Sequence, residues 1–167
     1  NGEALLNHRA EAAQKDAALL AFQQFIDANV SSDRAWSEIG KSLDQFNERA
    51  RLTDMSAETF RQCLERVRNI LEPNEHSAIH LRVRQSLAEE ALWLLANPTF
   101  TAQGTHNTCG PASIEARHYQ IDPANALKVV EDIAIRGEYV CPDGTALQPF
   151  THGGKFEFTR DKDAMTM

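Results

Sequence analysis

Apolar residues recur every three or four positions through almost the first hundred residues, a period that predicts amphipathic helices. The first is expected over about 3–29. It is rich in alanine and carries Leu6, Ala10, Ala13, Ala17 and Leu20 on one stripe, with Phe22, Phe25 and Ile26 broadening the apolar face near its end. A turn at Asn29-Val30-Ser31-Ser32 follows, with Ser32 as N-cap. Trp36, Ile39, Leu43, Phe46 and Ala50 then fall on one face of a second helix that ends near Leu52-Thr53-Asp54. Ser56 caps a third, whose stripe is Phe60, Cys63, Leu64, Val67, Ile70 and Leu71. Pro73-Asn74-Glu75 breaks it. A fourth helix is expected over about 77–96, with Leu81 or His80, Val83, Leu87, Ala91, Leu94 and Leu95 inward, stopped by Asn97-Pro98. Four such helices on short turns predict an antiparallel bundle over 1–97.

The pattern changes after Pro98. Residues 99–108 read as a loop, and a helix runs from Cys109 to about Tyr119. Asp122-Pro123 opens the next helix as N-cap and first-turn proline. Its apolar face is Ala126, Val129, Val130, Ile133 and Ala134, and Gly137 closes it. Glu138-Tyr139-Val140-Cys141 and Thr145-Ala146-Leu147 flank a Pro142-Asp143-Gly144 turn as paired strands. Lys155-Phe156-Glu157-Phe158-Thr159 alternates like a third strand, and Arg160 to Met167 reads as a frayed tail. The fold class is α+β, mostly α, with a helical region over 1–97 and a second region over 98–167.

Composition narrows the function classes. Of 167 residues, 42% are hydrophobic and 25% charged, ordinary for a globular chain. The net charge of −7 leaves no basic surplus for phosphates and argues against a nucleic-acid partner. The longest apolar run, Ala91 to Ala96, is far too short to span a membrane. Three cysteines, Cys63, Cys109 and Cys141, show no paired spacing, which favours a reducing compartment such as the cytoplasm, or an effector acting inside a cell, with a Cys109–Cys141 bridge as the alternative. The chain opens on Asn1, so a leader or larger N-terminal part is expected to be missing, or the piece to be excised.

Charged runs at Glu48-Arg49-Ala50-Arg51 and Glu65-Arg66-Val67-Arg68, with Arg82 and Arg84, are expected on solvated faces. His76 and His80 stand one helical turn apart without a third ligand, and Cys109, Cys141, His106 and His152 match no zinc spacing. No metal or cofactor is expected. Cys63 lies inside a core stripe and is expected to be inert.

The candidate chemistry centres on Ala102-Gln103-Gly104-Thr105-His106-Asn107-Thr108-Cys109-Gly110-Pro111-Ala112. Thr108 or Cys109 stands where loop becomes helix, and Pro111 suits the first turn. A thiol there faces unpaired backbone N–H groups and the positive end of the helix dipole. Both favour the thiolate, which is the nucleophile. Gln103, six residues upstream, can donate to an oxyanion formed on attack at a carbonyl.

The Gln-x5-Cys spacing and the Cys-Gly-Pro-Ala run resemble the nucleophile half of papain-like cysteine peptidases, in particular the bacterial double-glycine leader peptidases and papain-like toxin domains. The resemblance covers about 98–149. It implies a nucleophile helix packed on a small antiparallel sheet, Cys109 as nucleophile, Gln103 as oxyanion-hole donor, a protein or peptide substrate, and a toxin or effector setting. It also implies a histidine base. His106 stands three residues before Cys109, close for a base, and His118 lies about 13 Å along the helix axis from Cys109. His152, 43 residues after Cys109, is the best placed in sequence, with Asp161 or Asp163 to orient it. The alternative expectation places the base past Met167, in a part of the domain absent from this chain. Cys109, His152 and Asp161 also stand in the order of a transglutaminase-like or deamidating enzyme. A third reading is a helical interaction module without catalysis, engaging a protein partner.

Overall fold

The computed structural model describes residues 2–99 and 116–148. Helices α1 (Gly2–Asn29), α2 (Asp33–Leu52), α3 (Ala57–Leu71), α4 (Leu81–Ala96) and α5 (Pro123–Arg136) are followed by strands β1 (Tyr139–Val140) and β2 (Ala146–Leu147). Residues 116–121 are also helical. The protein is mostly α with one small antiparallel sheet among its described residues, as the sequence predicts. Among them, no helix is long and apolar enough to cross a membrane.

Local chemistry sets the helix ends. Ser32 Oγ accepts from the Ala35 N–H at 3.4 Å, Ser56 Oγ from Thr59 N–H at 3.1 Å, and Asp122 Oδ1 from Asn125 N–H at 3.2 Å. Each satisfies an otherwise orphaned first-turn donor. Gly137 ends α5 in the left-handed region, φ 81°, and its N–H donates to Ile133 O at 2.9 Å. The hairpin forms at Pro142-Asp143-Gly144. Gly144 N–H donates to Cys141 O, and the Asp143 carboxylate accepts from Thr145 N–H, which holds its pKa below the ordinary value. Tyr139 pairs with Leu147 and Val140 with Ala146.

Consecutive helices turn back on one another, and the broadest contacts join alternate ones: α2 with α4, α3 with α5, and α1 with α3. Glu11 accepts from the Ala57 N–H at the start of α3, and Arg68 near its end lies over the Phe25 ring, so α1 and α3 run in the same direction. The core sits where α2, α3, α4 and α5 meet. Phe46 and Phe60 stack at 5.0 Å, beside Ile39, Leu43, Val67, Ile70, Leu92, Leu95 and Leu127. Full burial of each large apolar side chain contributes about 1.5–3 kcal/mol. α5 is tied to α3 by Glu131, which accepts from Arg66 at 2.6 Å and Asn69 at 2.7 Å.

Several expected faces differ. In α1, Leu6 and Leu20 are exposed, and Phe22, Phe25 and Ile26 make the buried contact instead. Aromatic rings reach farther into the groove beside α3 than the alanine stripe does. Trp36 is half exposed and its indole donates to Asp27 Oδ1 at 2.7 Å, while Ala35 turns inward. α4 begins at Leu81, not 77, because His80 serves as its N-cap, Nδ1 accepting from Arg82 N–H. Val83 and Leu87 are half-buried, and Arg84, Ala88 and Leu92 fill the interior. In α5, Leu127 is fully buried, whereas Val129, Val130 and Ile133 are half-buried.

The solvated reading of three arginines is also corrected. Arg84, 1% exposed, donates to the carbonyls of Ile70, Glu72 and Ile79. It caps the C-terminus of α3 from inside the protein, where a guanidinium meets both the orphan carbonyls and the negative end of the dipole. Arg49 and Arg66 are half-buried and make interhelical bonds.

Candidate functional site

Gln103, Cys109, His152 and Asp161 lie outside the described residues, as do His106 and the expected third strand over 155–159. Among the described residues, those that flank the Gln103–Cys109 stretch in sequence are held together at one point.

That point is Arg49, in the last turn of α2. Its guanidinium donates to the carbonyl of Leu95, next to last in α4, and to that of Tyr119 at 3.0 Å. Leu95 precedes Gln103 by eight positions, and Tyr119 follows Cys109 by ten. One planar cation therefore holds the chain on both sides of the candidate nucleophile. Arginine suits this task because its fork serves two acceptors at fixed angles and stays charged when partly buried. Burial lowers its pKa from the ordinary value.

Each side of this joint has further support. Asn97 Nδ2 donates to Gln45 Oε1 at 3.1 Å and to Trp93 O at 3.2 Å, closing the end of α4 against α2. Tyr119 is buried in the common core. Asp122 N–H donates to His118 O at 2.9 Å and its carboxylate caps α5, so the 116–121 helix passes into α5 through one residue. His118 Nε2 stands 3.5 Å from Asn125 Nδ2.

Two other cysteines are described. Cys63 has no exposed surface, and burial pushes its thiol up to about 12; Arg49 and Arg66 pull it the other way by less. A thiol of that kind is not a nucleophile near neutral pH, as expected for a core residue. Cys141 is half-buried at the hairpin turn.

Two other features carry less chemistry. His76 and His80 sit in the connection before α4 rather than within a helix, so the one-turn spacing does not arise. Among the described residues no three His, Cys, Asp or Glu side chains gather as a metal site. A cavity of about 430 Å³ lies between α1 and α3, floored by Ala18, Ala21, Phe22 and Leu64 and rimmed by Arg61 and Arg68; no nucleophile or histidine lines it.

The Arg49 joint was missed by sequence reasoning. Glu48-Arg49-Ala50-Arg51 reads as a charged surface turn, and the two carbonyls that Arg49 binds are 46 and 70 positions away. The one local signal was Ala50 beside it, a core position that places Arg49 at the edge of the buried face.

No protein family matches this chain, and it matches neither a curated protein nor a solved structure.

Proposed function

We propose that the chain is a cysteine hydrolase of the papain-like kind, acting on peptide or protein amide bonds through Cys109. The observation that carries this reading is the Gln103-x5-Cys109 spacing in the sequence, followed by Gly110-Pro111-Ala112. A helix at 116–121 and an antiparallel hairpin after α5 are consistent with it. In the reaction the Cys109 thiolate attacks the amide carbonyl and the oxyanion is met by Gln103 and the Cys109 N–H. The C–N bond then breaks as the amine takes a proton from the histidine base, for which His152 is the candidate in this chain, oriented by Asp161. Water hydrolyses the thioester and returns the thiolate. The bacterial toxin or effector setting rests on the resemblance alone.

Alkylation of each cysteine against pH, read by peptide mass spectrometry on the folded protein, tests the proposal. Cys109 is expected to react far faster than Cys63 and Cys141, with a rate that holds down to about pH 5–6. A Cys109 that titrates as an ordinary thiol near about pH 8.5 would exclude the reading. Turnover of a peptide library that survives Cys109→Ala would exclude it as well.

A further inference from the structure

A second surface stands apart from this chemistry. Along α1, the face formed by Glu11, Ala18, Phe22 and Phe25 turns toward α3. The stripe Leu6, Ala10, Ala13, Ala17 and Leu20 is centred roughly a third of a turn round the helix from that face, with Ala17 also bordering the cavity beside α3. Leu6 is 66% and Leu20 56% exposed, and the three alanines between them are exposed too. The steps along the stripe are four, three, four and three, the seam of a two-stranded coil. Its edge on the side away from α3 carries Arg9 and Asp16, seven residues apart.

We propose that this stripe pairs with the same stripe of a second copy of the chain, the two α1 helices running antiparallel. The charges select both the partner and the direction. In a parallel pair Arg9 would face Gln14 and Asp16 would face Ala21, with nothing to attract. In an antiparallel pair equivalent edges face each other, so Arg9 of each copy meets Asp16 of the other, twice about the two-fold axis. In the same register Leu6 packs over Ala17, and Ala10 over Ala13, where small side chains let the backbones approach closely. A shift by one heptad sets Asp16 against Asp16, which penalises the alternative.

The association state of the whole chain by analytical ultracentrifugation, across concentrations up to about 100 µM, tests this. A dimer is expected. Leu6→Glu is expected to abolish it, and Asp16→Arg to weaken it by about tenfold by setting Arg against Arg. The exchange Arg9→Asp with Asp16→Arg is expected to restore it. All these positions are exposed, so circular dichroism is expected to show unchanged helix content. A chain that stays monomeric throughout overturns the proposal. So does a dimer indifferent to Leu6→Glu, or one that the charge exchange fails to restore.

Discussion

Arg49 donates to the backbone carbonyl of Tyr119 across 3.0 Å and 70 positions of chain. With its second bond, to Leu95, it joins α2, the end of α4 and the 116–121 helix at one point. Removing it takes a charged donor away from both partly buried carbonyls. Arg49→Ala is expected to destabilise the protein by about 2–3 kcal/mol, from hydrogen bonds to a charged group and the desolvation left behind. Arg49→Lys is expected to recover only part, because an ammonium lacks the planar fork. Chemical denaturation measures the first effect. The alkylation rate of Cys109 measures whether the joint also positions the nucleophile; a rate equal to that of the parent would confine Arg49 to stability.

Arg84 makes a stronger case of the same chemistry. Its guanidinium is fully buried and serves three carbonyls from α3 and the connection before α4. Arg84→Ala is expected to cost about 3–5 kcal/mol, since it opens a cavity and strips all three acceptors. Arg84→Met fills the volume but still leaves the carbonyls bare, and is expected to cost nearly as much. Urea unfolding midpoints compare the two; a Met variant close to the parent would show that packing, not hydrogen bonding, explains the burial.

Gly137 joins a backbone requirement to a packing one. Its φ of 81° disfavours any L side chain, and an added Cβ would stand 3.1 Å from Ala78 Cβ. Gly137→Ala is expected to lower stability by about 1–3 kcal/mol. Ala78→Gly in the same chain should relieve the contact but not the φ, recovering part of the loss. Full recovery would mean that the left-handed backbone carries no cost here.

Cys63 gives a pH dependence whose sign is fixed. Burial raises the folded thiol to about 12, against about 8.5 for an ordinary thiol. The folded state therefore keeps its proton where the unfolded chain loses it. The contribution is fully present below about pH 8.5 and is lost as pH rises from there toward about 12. Cys63→Ala is expected to flatten the fall in stability over that window while lowering stability at neutral pH. In the parent at pH 8, iodoacetamide should leave Cys63 unmodified; rapid labelling there would contradict its burial.

What the sequence determined by itself was local. Ser32, Ser56 and Asp122 cap helices, and Gly137 ends one, because the groups they satisfy lie within three or four residues. The Pro142-Asp143-Gly144 turn is legible for the same reason, and so are the stripes of α2 and α3, each of which has one dominant apolar face. Gln103 and Cys109 carry the candidate chemistry in their spacing alone. The tertiary structure decided which face is used where two compete, and which charges leave the surface. α1 offers an alanine stripe and an aromatic one, and α3 selects the aromatic one because Phe22 and Phe25 bury more area against it. Arg49, Arg66 and Arg84 look alike in sequence. Their roles depend on acceptors brought from other turns of the fold, because a charge can leave water only where packing delivers carbonyls or a carboxylate to meet it.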